Sequence, residues 1–345
     1  MTGDHPQPLT DALSSTQDLV EPELRKALSR LDPAMHRVCS YHLGWTDADG
    51  VPTHGSPGKS LRPTLTLLSA QACGAEPAAA LPAAVAVELV HNFSLVHDDV
   101  MDGDRRRRHR PTAWTVFGVP AALLAGDALL ALALDVVMRP EPHQPRTAQQ
   151  LPTLLLDAVT KLIAGQSADL DFERRHDVGL AEGLAMSDAK TGALLRCSAT
   201  CGAVSAGAHP RDVELLTRFA GHLGAAFQLV DDLLGIWGAP EVTGKPALAD
   251  LRSRKKSLPV LAAMRDPGPA GDRLRALFRR SEPFADEELP LVAEVVERAG
   301  GRTWARRRAE QEVDLARRCL ARQDPDPVSR EALLALAEYV ARRNH

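Results

Sequence analysis

Opposite charges meet at one point of this chain. Leu95-Val96-His97-Asp98-Asp99-Val100-Met101-Asp102 is closed by Gly103-Asp104 and followed by the basic run Arg105–Arg110. Val87, Leu89, Val90, Phe93 and Leu95 lead into it with helical spacing. If the helix runs to Met101, Asp98 and Asp102 stand one turn apart on the same face. Like charges at that spacing repel by about 0.2–0.5 kcal/mol on a bare helix, which a cation between them reverses. Two carboxylates that leave other positions to water and substrate phosphates suit Mg2+. A lone pair of this kind is more often a solvated acidic turn. Here the following arginines supply a grip for a polyanion beside the acids.

A second acidic pair lies in Phe227-Gln228-Leu229-Val230-Asp231-Asp232-Leu233-Leu234-Gly235, again at the end of an apolar helical stretch. If two such helices face each other, carboxylates line both sides of one cleft, an arrangement suited to a diphosphate bridged by several Mg2+ ions. Cations are scattered around these stretches. Gly58-Lys59-Ser60-Leu61-Arg62-Pro63 places Lys59 and Arg62 at a helix start, where free backbone N–H groups favour an anion. Lys190-Thr191-Gly192 puts an ammonium and a hydroxyl inside an apolar helix. Thr243-Gly244-Lys245-Pro246 and Arg254-Lys255-Lys256-Ser257 follow the second acidic pair. Each lysine alone reads as a surface charge; together they suffice for two diphosphates, one on metals and one on bare cations.

The elements that must position these residues are helical. Alternating strand patterns are scarce, aromatics are 4% of 345 residues, and Ala and Leu dominate. Residues 1–20 read as a loose N-terminal segment and 21–345 as a single domain. Glu21–Leu43 is expected as the first helix and 44–58 as a loop, with Pro63 in the first turn of a helix running to about Cys73. Periodic apolar stretches follow near 78–102, 119–138, 148–166, 180–203 and 211–237, then near 256–265, 286–299, 302–322 and 328–342. Pro and Gly fall mostly between them. The expected fold is all-α, one large helical bundle around a central cavity.

Composition narrows the partners. A formal charge of -4 argues against general nucleic-acid binding. Five irregularly placed cysteines give neither a disulfide framework nor a zinc pattern; Cys197 and Cys201 share a helix face as small apolar filler. The N-terminus lacks the basic and apolar regions of a signal peptide. Asp127 and Asp135 interrupt Ala121–Met138, so no run is expected to cross a membrane, and a cytoplasmic location is expected.

In motif order from about Lys59 to Pro259 the chain resembles the trans-isoprenyl diphosphate synthases of the polyprenyl synthetase family. Asp98-Asp99-Val100-Met101-Asp102 is similar to the family's first aspartate-rich motif and Asp231-Asp232-Leu233-Leu234-Gly235 to the second. Thr243-Gly244-Lys245 through Lys255-Lys256-Ser257-Leu258-Pro259 resembles the downstream lysine segment. The resemblance implies the terpenoid synthase fold, a homodimer, and about three Mg2+ ions held with the allylic diphosphate by Asp98, Asp102 and Asp231, with Asp232 among the metal residues. It implies that Arg107, Lys190, Thr191, Gln228, Lys245 and Lys255 surround that group, and that Lys59, Arg62, His91 and Arg108 bind isopentenyl diphosphate. His91 alone would read as a core histidine. The implied reaction joins isopentenyl diphosphate to a C5–C15 allylic diphosphate, giving a C20 or C15 all-trans product. Departures are Pro57 and Ser60 in the first basic motif, His109 where the family has glycine, and Gly235 in place of the last aspartate. Phe93, about 7.5 Å before Asp98 along a helix axis, and the smaller Ser94 beside it are expected to set product length. Two rival readings are a class I terpene cyclase, which needs no isopentenyl site, and a non-catalytic partner subunit, supported by Gly235.

Overall fold

The computed structural model describes residues 7–53, 60–139, 149–239, 247–280, 282–322 and 326–342. It is all-α apart from one small hairpin. In chain order the elements are α1 (Gln7–Leu28), α2 (Pro33–His42), α3 (Leu61–Gln71), α4 (Leu81–Met101), β1 (Arg106–Arg107), β2 (Arg110–Pro111), α5 (Ala113–Phe117), α6 (Val119–Met138), α7 (Leu151–Arg174) and α8 (Leu180–Ser187). A π-helical turn, Asp188–Gly192, leads into α9 (Ala193–Ser205) and α10 (Pro210–Trp237). Then come α11 (Ala249–Arg252), α12 (Leu258–Ala263), α13 (Pro269–Arg279), α14 (Leu289–Arg298), α15 (Gly301–Ala321) and α16 (Pro327–Arg342). The chain forms two compact units. One comprises Met1–Val159, Cys197–Thr217 and Gln323–Ala335; the other comprises Thr160–Arg196, Arg218–Arg322 and Leu336–His345.

The N-terminal expectation needs correction. Residues 7–20 are helical, not loose, because Leu9, Thr16, Val20 and Leu24 recur at core-facing intervals and are buried. The helix expected over Glu21–Leu43 is two helices. Asp32 accepts the amides of Ala34 (2.9 Å) and Met35 (3.3 Å), and Pro33 opens α2 where its missing N–H costs nothing.

In the first unit α4 is the core helix, packed chiefly against α6 and α3 and buried on nearly every side. That is why its sequence shows no clean polar stripe. The expectation that no segment reaches membrane length also fails. Pro77–Met101 and Val119–Met138 are both long and apolar enough; most of the first is buried, less than half of the second. The aspartates at 127 and 135 are too few to exclude α6 on composition.

The basic run folds as the hairpin. β1 and β2 pair antiparallel with Arg107 opposite Arg110, and Arg108 (φ 50°) and His109 (φ 64°) form its two-residue turn. Two left-handed residues match the type I′ turn that suits strand twist. The hairpin is pinned by Arg110, which stacks on Tyr41 and donates to the Thr46 carbonyl (2.8 Å), and by Tyr41 donating to the Pro111 carbonyl (2.8 Å).

In the second unit Leu229, Val230 and Leu233 of α10 pack with Phe172, Leu180, Leu258 and Leu261. Helix α13, absent from the sequence reading, buries only Gly271, Leu274 and Phe278. The stripe is strongly periodic but the helix is polar overall, so it did not stand out as an apolar stretch.

Candidate active site

The first unit gathers partly buried cations around the middle of α4, with Arg108 exposed at the rim. Arg62 Nη1 lies 3.2 Å from His91 Nε2; a guanidinium only donates, so Nε2 accepts and the neutral ring carries its proton on Nδ1. Burial and the charges of Arg62, Arg108 and Arg107 hold the His91 pKa well below its usual value. His42, at the end of α2, is pushed down to about 3 by burial and by Arg107, Arg108 and Arg110. Glu88 is a buried counter-charge, its pKa raised by burial against the pull of Arg62 and Arg108, and Asn92 donates to its carboxylate (3.0 Å). The Arg62 Nε is buried and has no hydrogen-bond partner among the described residues. A buried, unsatisfied guanidinium N–H among further arginines marks a place made for an anion.

The hairpin delivers two arginines to different tasks. Arg107 donates to Asp99 Oδ1 through Nε (2.8 Å) and Nη2 (2.7 Å). Asp99 is buried, and its Oδ2 has no hydrogen-bond partner among the described residues. Arg108 adds its charge to the Glu88–His91 group. Asp98 is half-buried and Asp102 exposed at the C-cap of α4, where its N–H donates to the Asp98 carbonyl (2.8 Å). Helix α4 therefore turns Asp99 inward onto Arg107 and leaves Asp98 and Asp102 toward solvent. Phe93 is buried, and its ring meets that of His97 edge-on with centroids 4.9 Å apart. The Ser94 hydroxyl is spent on its own helix, donating to the His91 carbonyl (2.8 Å).

The second unit builds its group around the π-helical turn. A Cβ at Gly165 would lie 2.4 Å from Lys190 N, so α7 touches the backbone of that turn, and a Cβ at Gly224 of α10 would lie 3.1 Å from Gly192 Cα. Held this way, Lys190 Nζ pairs with Asp169 (2.7 Å), and Thr191 donates to Gln228 Oε1 (2.8 Å). Gln228 in turn donates to Asp232 Oδ1 (2.8 Å), and Asp232 Oδ2 accepts the Leu258 N–H (2.8 Å). Asp232, only 2% exposed, is pushed up to about 6 by burial. Grouped with the metal residues in the sequence reading, it has both oxygens engaged by protein donors, whereas Asp231 is exposed.

Lys255 Nζ sits 3.7 Å from Asp232 and 3.9 Å from Asp250. Burial would lower its pKa, but Asp250, Asp232, Asp169 and Asp231 outweigh that and hold it charged. Its neighbours fix the segment. Arg254 donates to the carbonyls of Phe278 (3.1 Å) and Arg280 (2.6 Å) and stacks on Phe284, while Lys256 donates to the Phe172 carbonyl (2.6 Å).

Two expected residues, Lys59 and Lys245, lie outside the described residues. The structure brings Arg62, His91, Arg107 and Arg108 together in one unit, and Lys190, Thr191, Gln228, Asp232 and Lys255 in the other. His42, Glu88, Asp99, Asp169 and Asp250 were missed. Among the described residues no three His, Cys, Asp or Glu side chains are grouped to hold a metal alone.

An arginine–histidine group on one set of helices and aspartates near the ends of two long apolar helices make a site suited to binding anions. Residues 52–296 match the profile of the polyprenyl synthetase family. The (2E,6E)-farnesyl diphosphate synthase of Mycobacterium tuberculosis is 48% identical over 98% of this chain and 96% of its own. The geranylgeranyl diphosphate synthase of the same organism is 40% identical over 93% and 90%. The crystal structure of a polyprenyl synthetase from Streptomyces coelicolor A3(2) superposes with a TM-score of 0.90, at 45% identity over 96% of this chain and 99% of that one. The chain belongs to the polyprenyl synthetase family.

Proposed function

We propose that this prenyltransferase joins isopentenyl diphosphate to an allylic diphosphate, with Mg2+, to give a C20 or C15 all-trans isoprenyl diphosphate. The observation that carries the reading is the partly buried cation group of the first unit, whose Arg62 Nε has no hydrogen-bond partner among the described residues. A diphosphate answers that charge without metal, and a terpene cyclase has no use for such a site. Arg62, His91 and Arg108, with Lys59, bind isopentenyl diphosphate. Arg107, Lys190, Thr191, Gln228, Lys245 and Lys255 surround the allylic diphosphate. Asp98, Asp102 and Asp231 ligate Mg2+, and Asp232 anchors the groups around it. Bound Mg2+ supplies charge neutralisation of the leaving diphosphate.

The chain's own part follows from its charges. Lys190 and Lys255 are held by aspartates where an ammonium can take up negative charge as the allylic C–O bond breaks. Apolar residues of α4 exclude water from the carbon that becomes positive. The C3=C4 electrons of isopentenyl diphosphate form the new C–C bond, and its C2 proton leaves to the departing diphosphate. Phe93 limits the tail. The enzyme acts in the cytoplasm, in keeping with five free cysteines, and as a homodimer through the exposed face of α6.

The deciding experiment incubates the purified chain with radiolabelled isopentenyl diphosphate, Mg2+ and C5, C10 or C15 starters, then separates the products. Elongated diphosphates support the reading. Hydrocarbon from geranylgeranyl diphosphate alone supports a cyclase, and no turnover by the chain alone supports a partner subunit.

A further inference from the structure

Among the described residues the one π-helical turn is Asp188–Gly192, and it presents Lys190 and Thr191. An ion pair spans it. Arg196, in the first turn of α9, donates through Nη1 to Asp188 Oδ1 and through Nη2 to Asp188 Oδ2 (2.8 Å). Nη2 also donates to the Asp188 carbonyl (3.3 Å). Residues eight apart do not face each other on a regular α-helix, where eight steps of about 100° overshoot two turns by about 80°. The wider turn, closing i→i+5, takes up most of that overshoot and brings both side chains onto one face. The pair can close only over the π turn, and once closed it holds that turn against collapse to α-helix.

Room for the pair is made at Gly192, where a Cβ would lie 2.8 Å from Asp188 Oδ1 and 3.1 Å from Arg196 Nη1. The Arg196 stem rests on α10 at Gly221, where a Cβ would lie 3.5 Å from Arg196 Cδ. Lys190 and Thr191 have contacts of their own, to Asp169 (2.7 Å) and Gln228 (2.8 Å), that involve neither Asp188 nor Arg196.

We propose that Asp188 and Arg196 are positioning residues for the allylic diphosphate: their ion pair locks the π turn, and the turn sets where Lys190 and Thr191 present ammonium and hydroxyl. The pair acts through the turn and not on the substrate. The roles of Lys190 and Thr191 rest on the synthase reading above. A partly exposed pair adds little to global stability. Here, however, one carboxylate accepts two parallel N–H bonds, which fix direction as well as distance. Without the pair the turn samples α-helical register, which rotates Lys190 and Thr191 away from Asp169 and Gln228.

The test compares wild type with Asp188→Asn, Arg196→Gln, the double variant, and Arg196→Lys, which keeps the charge but not the fork. Melting temperature and hydrogen–deuterium exchange of the 188–196 peptide are read without substrate or metal; KM is read separately for the allylic and isopentenyl diphosphates. In Asp188→Asn and Arg196→Gln the peptide should exchange about fivefold faster, with the melting temperature within about 3 °C of wild type. The allylic KM should rise about fivefold, with the isopentenyl KM within about twofold of wild type. Arg196→Lys should fall between these variants and wild type. The double variant should be no worse than either single, since each already breaks the one pair. A turn as protected as in wild type overturns the proposal, as does a loosened turn without the KM split. So does a lowered melting temperature with both KM values moving together, or losses that add. Should Arg196→Gln not fold, Asp188→Asn alone decides by the same readings. A wild type without elongation activity overturns the synthase reading, and the exchange of the turn still decides whether the pair locks it.

Discussion

His42 shows how a residue invisible to motif reading belongs to the cation group around α4. Nothing around it in sequence marks it, yet α2 ends with its imidazole among Arg107, Arg108 and Arg110. Its ordinary pKa of 6.5 falls to about 3, and His91 falls in the same direction. A histidine that must stay neutral when folded gives full stability above pH 6.5; that stability drains away as pH falls toward the folded value, since the unfolded chain binds the proton first. Glu88 shifts upward and opposes this trend, so the raw slope is not diagnostic. The difference between wild type and His42→Gln is. Between pH 7 and pH 4.5 the wild-type melting temperature should fall more steeply than that of His42→Gln in calorimetry at fixed ionic strength. Parallel slopes would refute the assignment.

At the scale of elements, the proposed function puts both the chemistry and the measure of product length on α4. Phe93 is fixed by its edge contact with His97, whose Nε2 donates to the Leu123 carbonyl of α6 (3.0 Å) and whose ring occupies the space beside Gly126. Phe93→Ala removes a braced ring, so the main product should lengthen by at least one C5 unit, read by reversed-phase separation of the dephosphorylated products. An unchanged profile removes Phe93 as the stop. How far such elements could be read in advance depended on what signals them. Helices α6 and α10 were legible because long apolar stretches end at Pro or Gly. The π-helical turn was not, because Lys190 and Thr191 owe their places to Gly165 and Gly224 on helices distant in sequence. The hairpin escaped because arginines have no strand signature, and His109 sits at φ 64° where glycine is the obvious choice. Asp98, Asp231 and the cations were legible as types at spacings; the split between outward Asp98 and inward Asp99 came only with packing.

For the whole molecule, the question is what covers α6. Leu124 is 57% exposed and Met138 68%, and Val119 and Leu123 are also exposed on the same helix. Scattered exposed apolar residues are ordinary, but several along one long helix mark a contact surface. α6 alone would also satisfy a membrane segment by length, yet Asp127 lies exposed between Leu124 and Ala131 on that surface. A carboxylate at mid-helix is costly in hydrocarbon and tolerable at an interface between two protein chains, where it can meet water or a donor. A second copy of the chain is therefore the better occupant. The purified protein should scatter light as two chains at micromolar concentration, and Leu123→Glu with Leu124→Glu should convert it to one chain without unfolding it, as judged by circular dichroism. Sedimentation with anionic vesicles runs alongside. If wild type is a single chain that pellets with vesicles, the exposed face belongs to a lipid surface instead.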